Sequence, residues 1–235
     1  MTALTVQVAV NDEDGYILFG DDQTGFMGDN ETFSNNAKVV IGRDNSDGSH
    51  NNTYFGWLHL KNFTIAQGAT INSAKLYLYW HASAGFDSSG DPSEGMVVKA
   101  EDIDSGAKPA NYAAVAAWTS STGLTSASAT VSSFIDASQG MMGPNEEFSA
   151  GWYPSAGLEI KTVLKELVDR GGWSSGSNVN LLLTPSAHNG SIDWTISWKD
   201  HESKTGSNYQ AKLVIDYTAA AASTPTSPAF LMFLD

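Results

Sequence analysis

The segment from Tyr54 to Trp80, YFGWLHLKNFTIAQGATINSAKLYLYW, constrains the fold of this chain more than any other. Apolar and polar side chains alternate along it, and a period of two belongs to a half-buried β-strand rather than to a helix. In its second half Ala74, Leu76, Leu78 and Trp80 share one face, while Lys75, Tyr77 and Tyr79 share the other. The segment therefore reads as two strands joined by a short turn. The same alternation places Leu4, Val6, Val8 and Val10 together near the start of the chain. It recurs in Ile192, Trp194, Ile196 and Trp198, and again in Ala211, Leu213, Ile215 and Tyr217. Further strands are expected near 15–19, 37–42, 96–103, 129–135 and 178–184.

One stretch departs from this rule. In LEIKTVLKELVDRGG, residues Ile160, Val163, Leu164, Leu167 and Val168 fall on a single helical face, and Gly171-Gly172 supplies a stop. The expected fold is all-β: an antiparallel β-sandwich with jelly-roll character and one short helix near 158–169. Residues 1–218 are expected to form a single sandwich domain. Residues 218–228, TAAAASTPTSP, have the composition of an extended linker, and AFLMFLD follows them. Residues 219–235 thus read as a linker plus an apolar anchoring tail.

Charge narrows the classes of partner. Twelve basic residues stand against 26 acidic ones, a net charge of −14, and the basic residues are scattered. Nucleic acid and anionic membrane surfaces both need clustered Lys and Arg, so neither is expected as a partner. No apolar run approaches the ~20 residues that span a bilayer. The absence of cysteine removes disulfides, thiolate metal sites and cysteine nucleophiles together. MTALTVQVAV lacks the basic and apolar regions of a signal peptide, which points to a chain that stays inside the cell, leaves by lysis or has lost its signal. Loops at 20–36, 43–53, 82–95, 104–128 and 136–156 are long and rich in Gly, Ser, Asn and Asp, as expected of a protein that displays something at its surface.

Three blocks, taken in order, resemble a known family. G-W-L-H-L-x-N-F-T-I-x-x-G-A-T-I-x-S-A-K-L-Y-L (56–78) is similar to the strand pair that opens DNRLRE-type β-sandwich domains. LEIKTVLKELVDRGGWSSGSNVNLLLT (158–184) resembles their helix, turn and following strand. Glu202-Ser203 with AKLVIDYT (211–218) resembles their closing strand. The resemblance spans roughly residues 11–218 and carries no catalytic residues with it. It implies a secreted or cell-surface module, in some cases binding polysaccharide, or a stand-alone structural protein of a tailed bacteriophage. The missing signal peptide and companion domain favour the virion exterior over the secreted setting.

Motifs for chemistry are sparse. Gly172-Trp173-Ser174-Ser175-Gly176 spells G-x-S-x-G, but a nucleophile elbow needs a strand before the serine and a helix after it. Here the predicted order is reversed, so a plain turn is expected. The five histidines show no metal-ligand spacing, and surface or strand-end positions are expected for them. Glu146 and Glu147 are adjacent and point apart, unlike a glycosidase pair. Acidic groups Asp12 and Asp14, and Asp102 and Asp104, are candidate ligands for a structural Ca²⁺, although neither has EF-hand spacing. Tyr77 and Tyr79 stand two residues apart on one strand face. They either stack on sugar rings, pack against another subunit or lie beneath the helix. Phe230, Leu231, Met232, Phe233 and Leu234 would each gain about 1.5–3 kcal/mol on full burial and are the candidate anchor to another copy or another virion protein. The expected role is therefore a non-enzymatic structural or decoration protein of a virus particle. The alternatives are a carbohydrate-binding adhesin recognising host-surface polysaccharide, and an extracellular filament subunit.

Overall fold

The structure is a computed structural model that describes residues 1–10, 13–19, 26–28, 38–44, 52–80, 87–88, 95–119, 123–134, 151–186, 194–199 and 209–220. Its elements run β1 (Thr2–Gln7), β2 (Asp14–Phe19), β3 (Phe26–Gly28), β4 (Lys38–Asp44), β5 (Asn52–Phe63), β6 (Thr70–Trp80), β7 (Asp87–Ser88) and β8 (Met96–Ala100). Helix α1 (Tyr112–Thr119) comes next, then β9 (Ala129–Val131), β10 (Gly151–Glu159) and α2 (Lys161–Val168). Strands β11 (Ser177–Pro185), β12 (Trp194–Lys199) and β13 (Lys212–Thr218) complete it.

The strands form an all-β sandwich of two antiparallel sheets. One has the order β1-β13-β6-β10, and the other contains the run β5-β11-β8-β9. Numbering these eight strands along the chain gives 1-8-3-6 facing 2-7-4-5, which is the jelly-roll order. The remaining strands extend the second sheet around β5. β2 and β11 pair with residues 56–58 of β5, so they lie on opposite edges of it. β4 shares Thr53 and Tyr54 with β2, and so meets β5 on the β11 side before passing the sheet on to β12 and β7.

The main core lies between the sheets. Leu58, Leu60, Leu76, Leu78, Val98, Leu181, Leu213 and Ile215 are all buried in one cluster. α2 adds Val163, Leu164, Leu167 and Val168, the apolar face expected from its spacing. Below it Trp173 sets its ring edge-on to Phe63 at 6.0 Å and donates its indole N–H to the Ile65 carbonyl at 2.9 Å. The G-x-S-x-G match is the turn between α2 and β11, with Ser174 exposed, as expected. Val10 departs from the pattern of its neighbours and is 44% exposed.

Several elements correct the sequence reading, β3 and β7 among them, which lie in the stretches 20–36 and 82–95 expected to be loop. The stretch 104–128 contains α1, so the described residues hold two helices and not one. The Asn111 side chain caps α1, accepting from the Ala114 N–H at 3.0 Å. Val115 and Trp118 of α1 pack on Ile17, Trp57 and Leu182, a second small core on the outer face of the larger sheet. The stretch 136–156 was expected to be loop, yet its last residues open β10. Strand β10 pairs with β6 through a register shift between Tyr153 and Leu158.

Candidate functional site

Two clusters of side chains stand out, one on the outer face of each sheet. The first is aromatic and lies on the four-stranded sheet. Alternation along β6 buries Leu76 and Leu78 and turns Tyr77 and Tyr79 to the other face, where both are half-buried. Antiparallel pairing brings Trp152 of β10 beside Tyr79 and Lys212 of β13 beside Tyr77. Tyr79 lies 4.1 Å from the Tyr209 ring, centre to centre, and meets Trp152 nearly edge-on at 5.2 Å. The Lys212 ammonium sits 3.9 Å from the centre of the Trp152 ring and 5.4 Å from that of Tyr77.

Neither tyrosine lies beneath α2, whose apolar face enters the main core. Tyr77 instead lies along β10, its hydroxyl donating to the Ala156 carbonyl at 3.3 Å. Gly157 makes that possible: a Cβ there would stand 2.7 Å from the Tyr77 ring, and its φ of +72° suits glycine. Tyr77 is thus engaged locally. Tyr209 is 39% exposed, whereas Tyr77, Tyr79 and Trp152 are half-buried. The sequence reading found Tyr77 and Tyr79 but missed Trp152, Tyr209 and Lys212, which join them only through sheet pairing.

The second cluster is polar and buried, on the outer face of the larger sheet beside the small core. His59 of β5 is 3% exposed, and its Nδ1 lies 2.6 Å from Asn180 Oδ1 on β11. Asn180 Nδ2 donates to Glu101 at 2.7 Å and to the Ala107 carbonyl at 2.8 Å. Two acceptors identify that atom as the nitrogen, so the oxygen faces His59 and His59 carries its proton on Nδ1. Burial lowers the His59 pKa, with the Asn180 bond and Glu13 pulling partly the other way. Burial raises the Glu101 pKa, opposed by hydrogen bonds from Asn180 and Trp118. Gly106 lies so close that a Cβ would sit 2.6 Å from Asn180 Nδ2. Nearby, the buried Glu13 carboxylate pairs with Lys61 and accepts from the Ala9 N–H at 2.8 Å. The cluster pins residues 101–107 to the sheet and leaves its histidine inside the protein. This corrects the expectation of a surface or strand-end position for His59; the other histidines lie outside the described residues.

The remaining candidates are placed as follows. Asp102 and Asp104 both bind the Arg170 guanidinium, Asp104 accepting from Nε at 2.8 Å. That hydrogen bond, with the two carboxylates beside it, raises the Arg170 pKa. Arg170 thus serves as the cationic partner of both carboxylates. Asp14 is buried at the start of β2, opposite Leu58. Among the described residues no group of three or more His, Cys, Asp or Glu side chains is arranged to hold a metal ion. Among them, too, no helix is long and apolar enough to cross a membrane. Asp12 and the apolar residues Phe230, Leu231, Met232, Phe233 and Leu234 lie outside the described residues. No protein-family model matches the chain, and a search of curated proteins returned no significant match.

Proposed function

We propose that this chain is a non-enzymatic structural protein of a virus particle, a decoration or tail component of a tailed phage, held to a neighbouring subunit by residues 230–234. The observation that carries this reading is the jelly-roll order of the two sheets, an architecture used for capsid and lectin domains. Fold alone does not specify function. The carboxylates in and beside the polar cluster support the reading further, since each is engaged within the sandwich: Glu13 by Lys61, Asp102 and Asp104 by Arg170, Glu101 by Asn180. The ordered resemblance to DNRLRE-type domains points the same way. To test the anchor, a fluorescent peptide of residues 219–235 is titrated with a chain ending at Thr218. Saturable binding in about the micromolar range is expected. An unchanged anisotropy up to about 1 mM contradicts the anchoring role.

The aromatic platform favours a second reading, a carbohydrate-binding adhesin module. The exposed Tyr209 ring beside the half-buried Tyr79 and Trp152 is suited to stacking on sugar rings, and Lys212 supplies a donor within the same patch. Retention on immobilised polysaccharides is the test. Under this reading a retained protein loses retention in Tyr79→Ala/Tyr209→Ala, with its melting temperature kept within a few degrees. Equal retention of both proteins counts against it.

A further inference from the structure

Among the described residues β1 is an edge strand, and its open side carries none of the usual protection. Its register with β13 pairs Thr2 with Tyr217, Leu4 with Ile215 and Val6 with Leu213, and the Val8 N–H continues the series by donating to the Ala211 carbonyl at 3.2 Å. Even-numbered residues therefore turn their N–H and C=O groups toward β13. Those of Ala3, Thr5 and Gln7 point away from it, and among the described residues β1 has no second neighbour. Natural edges are guarded by charge, proline, bulges or a cover. The other edge of this sheet is β10, which carries Pro154 and a register shift. Residues 1–10 contain no charged side chain and no proline. On the inner face Leu4 touches the main core yet is only half-buried, so the core is incompletely covered beside the open edge.

We infer that this edge accepts residues 229–234 of a second copy, added as a fifth strand to the four-stranded sheet. The inference rests on the assembly reading above and names the surface on which the anchor lands. AFLMFL is free of charge and proline, as an added strand must be, and alternate side chains would close over Leu4. β13 ends at Thr218, beside Thr2, so the chain leaves the sandwich next to this edge. The open edge of the same copy is only about 10 Å from β13, two strand spacings away. Residues 219–228 include Pro225 and Pro228 and reach about 30 Å when extended. A linker with that reach is long enough to cross to the edge of a neighbouring copy.

The test is residue-resolved amide exchange together with solution mass, on the full chain and two full-chain variants. Leu231→Asp/Phe233→Asp places charge in the tail. Thr5→Pro removes an outward N–H while leaving the bonds of Leu4 and Val6 to β13 in place. In the unmodified chain the Thr5 and Gln7 amides are expected to exchange about a hundredfold more slowly than in the tail variant, and either variant lowers the mass to that of one chain. If the tail variant is monomeric but Thr5 and Gln7 exchange equally in both proteins, the anchor lands elsewhere and only this inference is lost. Protected amides in a monomeric unmodified chain mean that the tail covers its own edge, which overturns the second copy. Unprotected amides and a mass unchanged by the tail variant sink this inference and the assembly reading together. Should Thr5→Pro fail to fold, the exchange comparison with the tail variant still decides.

Discussion

Asn180 joins β11 to β5 and to residues 101–107, because its one amide serves His59, Glu101 and the Ala107 carbonyl. Its replacement by Ala removes a partner from each of the three and leaves the buried His59 Nδ1 without its acceptor. The expected loss is about 3 kcal/mol, read from urea unfolding. Its neighbours titrate in opposite senses. The folded-state pKa of His59 is lowered, so its stabilising contribution is present above the ordinary value of 6.5 and is lost as pH falls through the folded value. The Glu101 pKa is raised, so its contribution is present below the ordinary 4.5 and is lost as pH rises through the folded value. Acidification from neutral therefore weakens the fold through His59 and strengthens it through Glu101. Glu101→Gln keeps an acceptor for Asn180 but removes the second effect. Its melting temperature should fall more steeply than the unmodified protein's as pH is lowered from 7 to the ordinary Glu value of 4.5; parallel slopes would contradict this. In sequence, His59 and Asn180 look like ordinary polar positions of alternating strands. They lie 121 residues apart, and no local spacing announces the bond.

The two helices differ in how far their sequences reveal them. α2 has a distinct apolar stripe, and all four of its buried residues belong to the face that its spacing predicts. α1, YAAVAAWT, is apolar or small on nearly every side, so no period of 3.6 stands out from a Gly- and Ser-rich neighbourhood. At eight residues it is too short to be stable alone, and packing on Trp57 and Leu182 holds it. Trp118→Ala is accordingly expected to cost about 3–5 kcal/mol and to expose α1 to limited proteolysis before the sandwich unfolds. If the variant is cleaved no faster in 112–119 than the unmodified protein, the second core contributes less than its burial implies. β10 escaped notice for another reason. Its alternation is broken by the register shift between Tyr153 and Leu158 and by the positive φ of Gly157, the features that seat Tyr77.

Across the whole molecule, the alternation legible in 54–80 and 211–217 established strands and an all-β class, while strand order is a property of pairing between distant segments. The jelly-roll order and the platform of Tyr79, Trp152, Tyr209 and Lys212 both arise at that level. A net charge of −14 makes copies repel one another. Association driven by an apolar tail should therefore strengthen as ionic strength rises from about 0.05 to 0.5 M, where the screening length shortens several-fold. Weakening with salt would point to ion pairing instead. The measurement that bears most directly on the assembly role is solution mass by light scattering, across a hundredfold range of concentration. It compares the full chain with one ending at Thr218. The account predicts a mass that climbs to multiples of 25.0 kDa for the full chain alone; two proteins that both remain single chains throughout would contradict it.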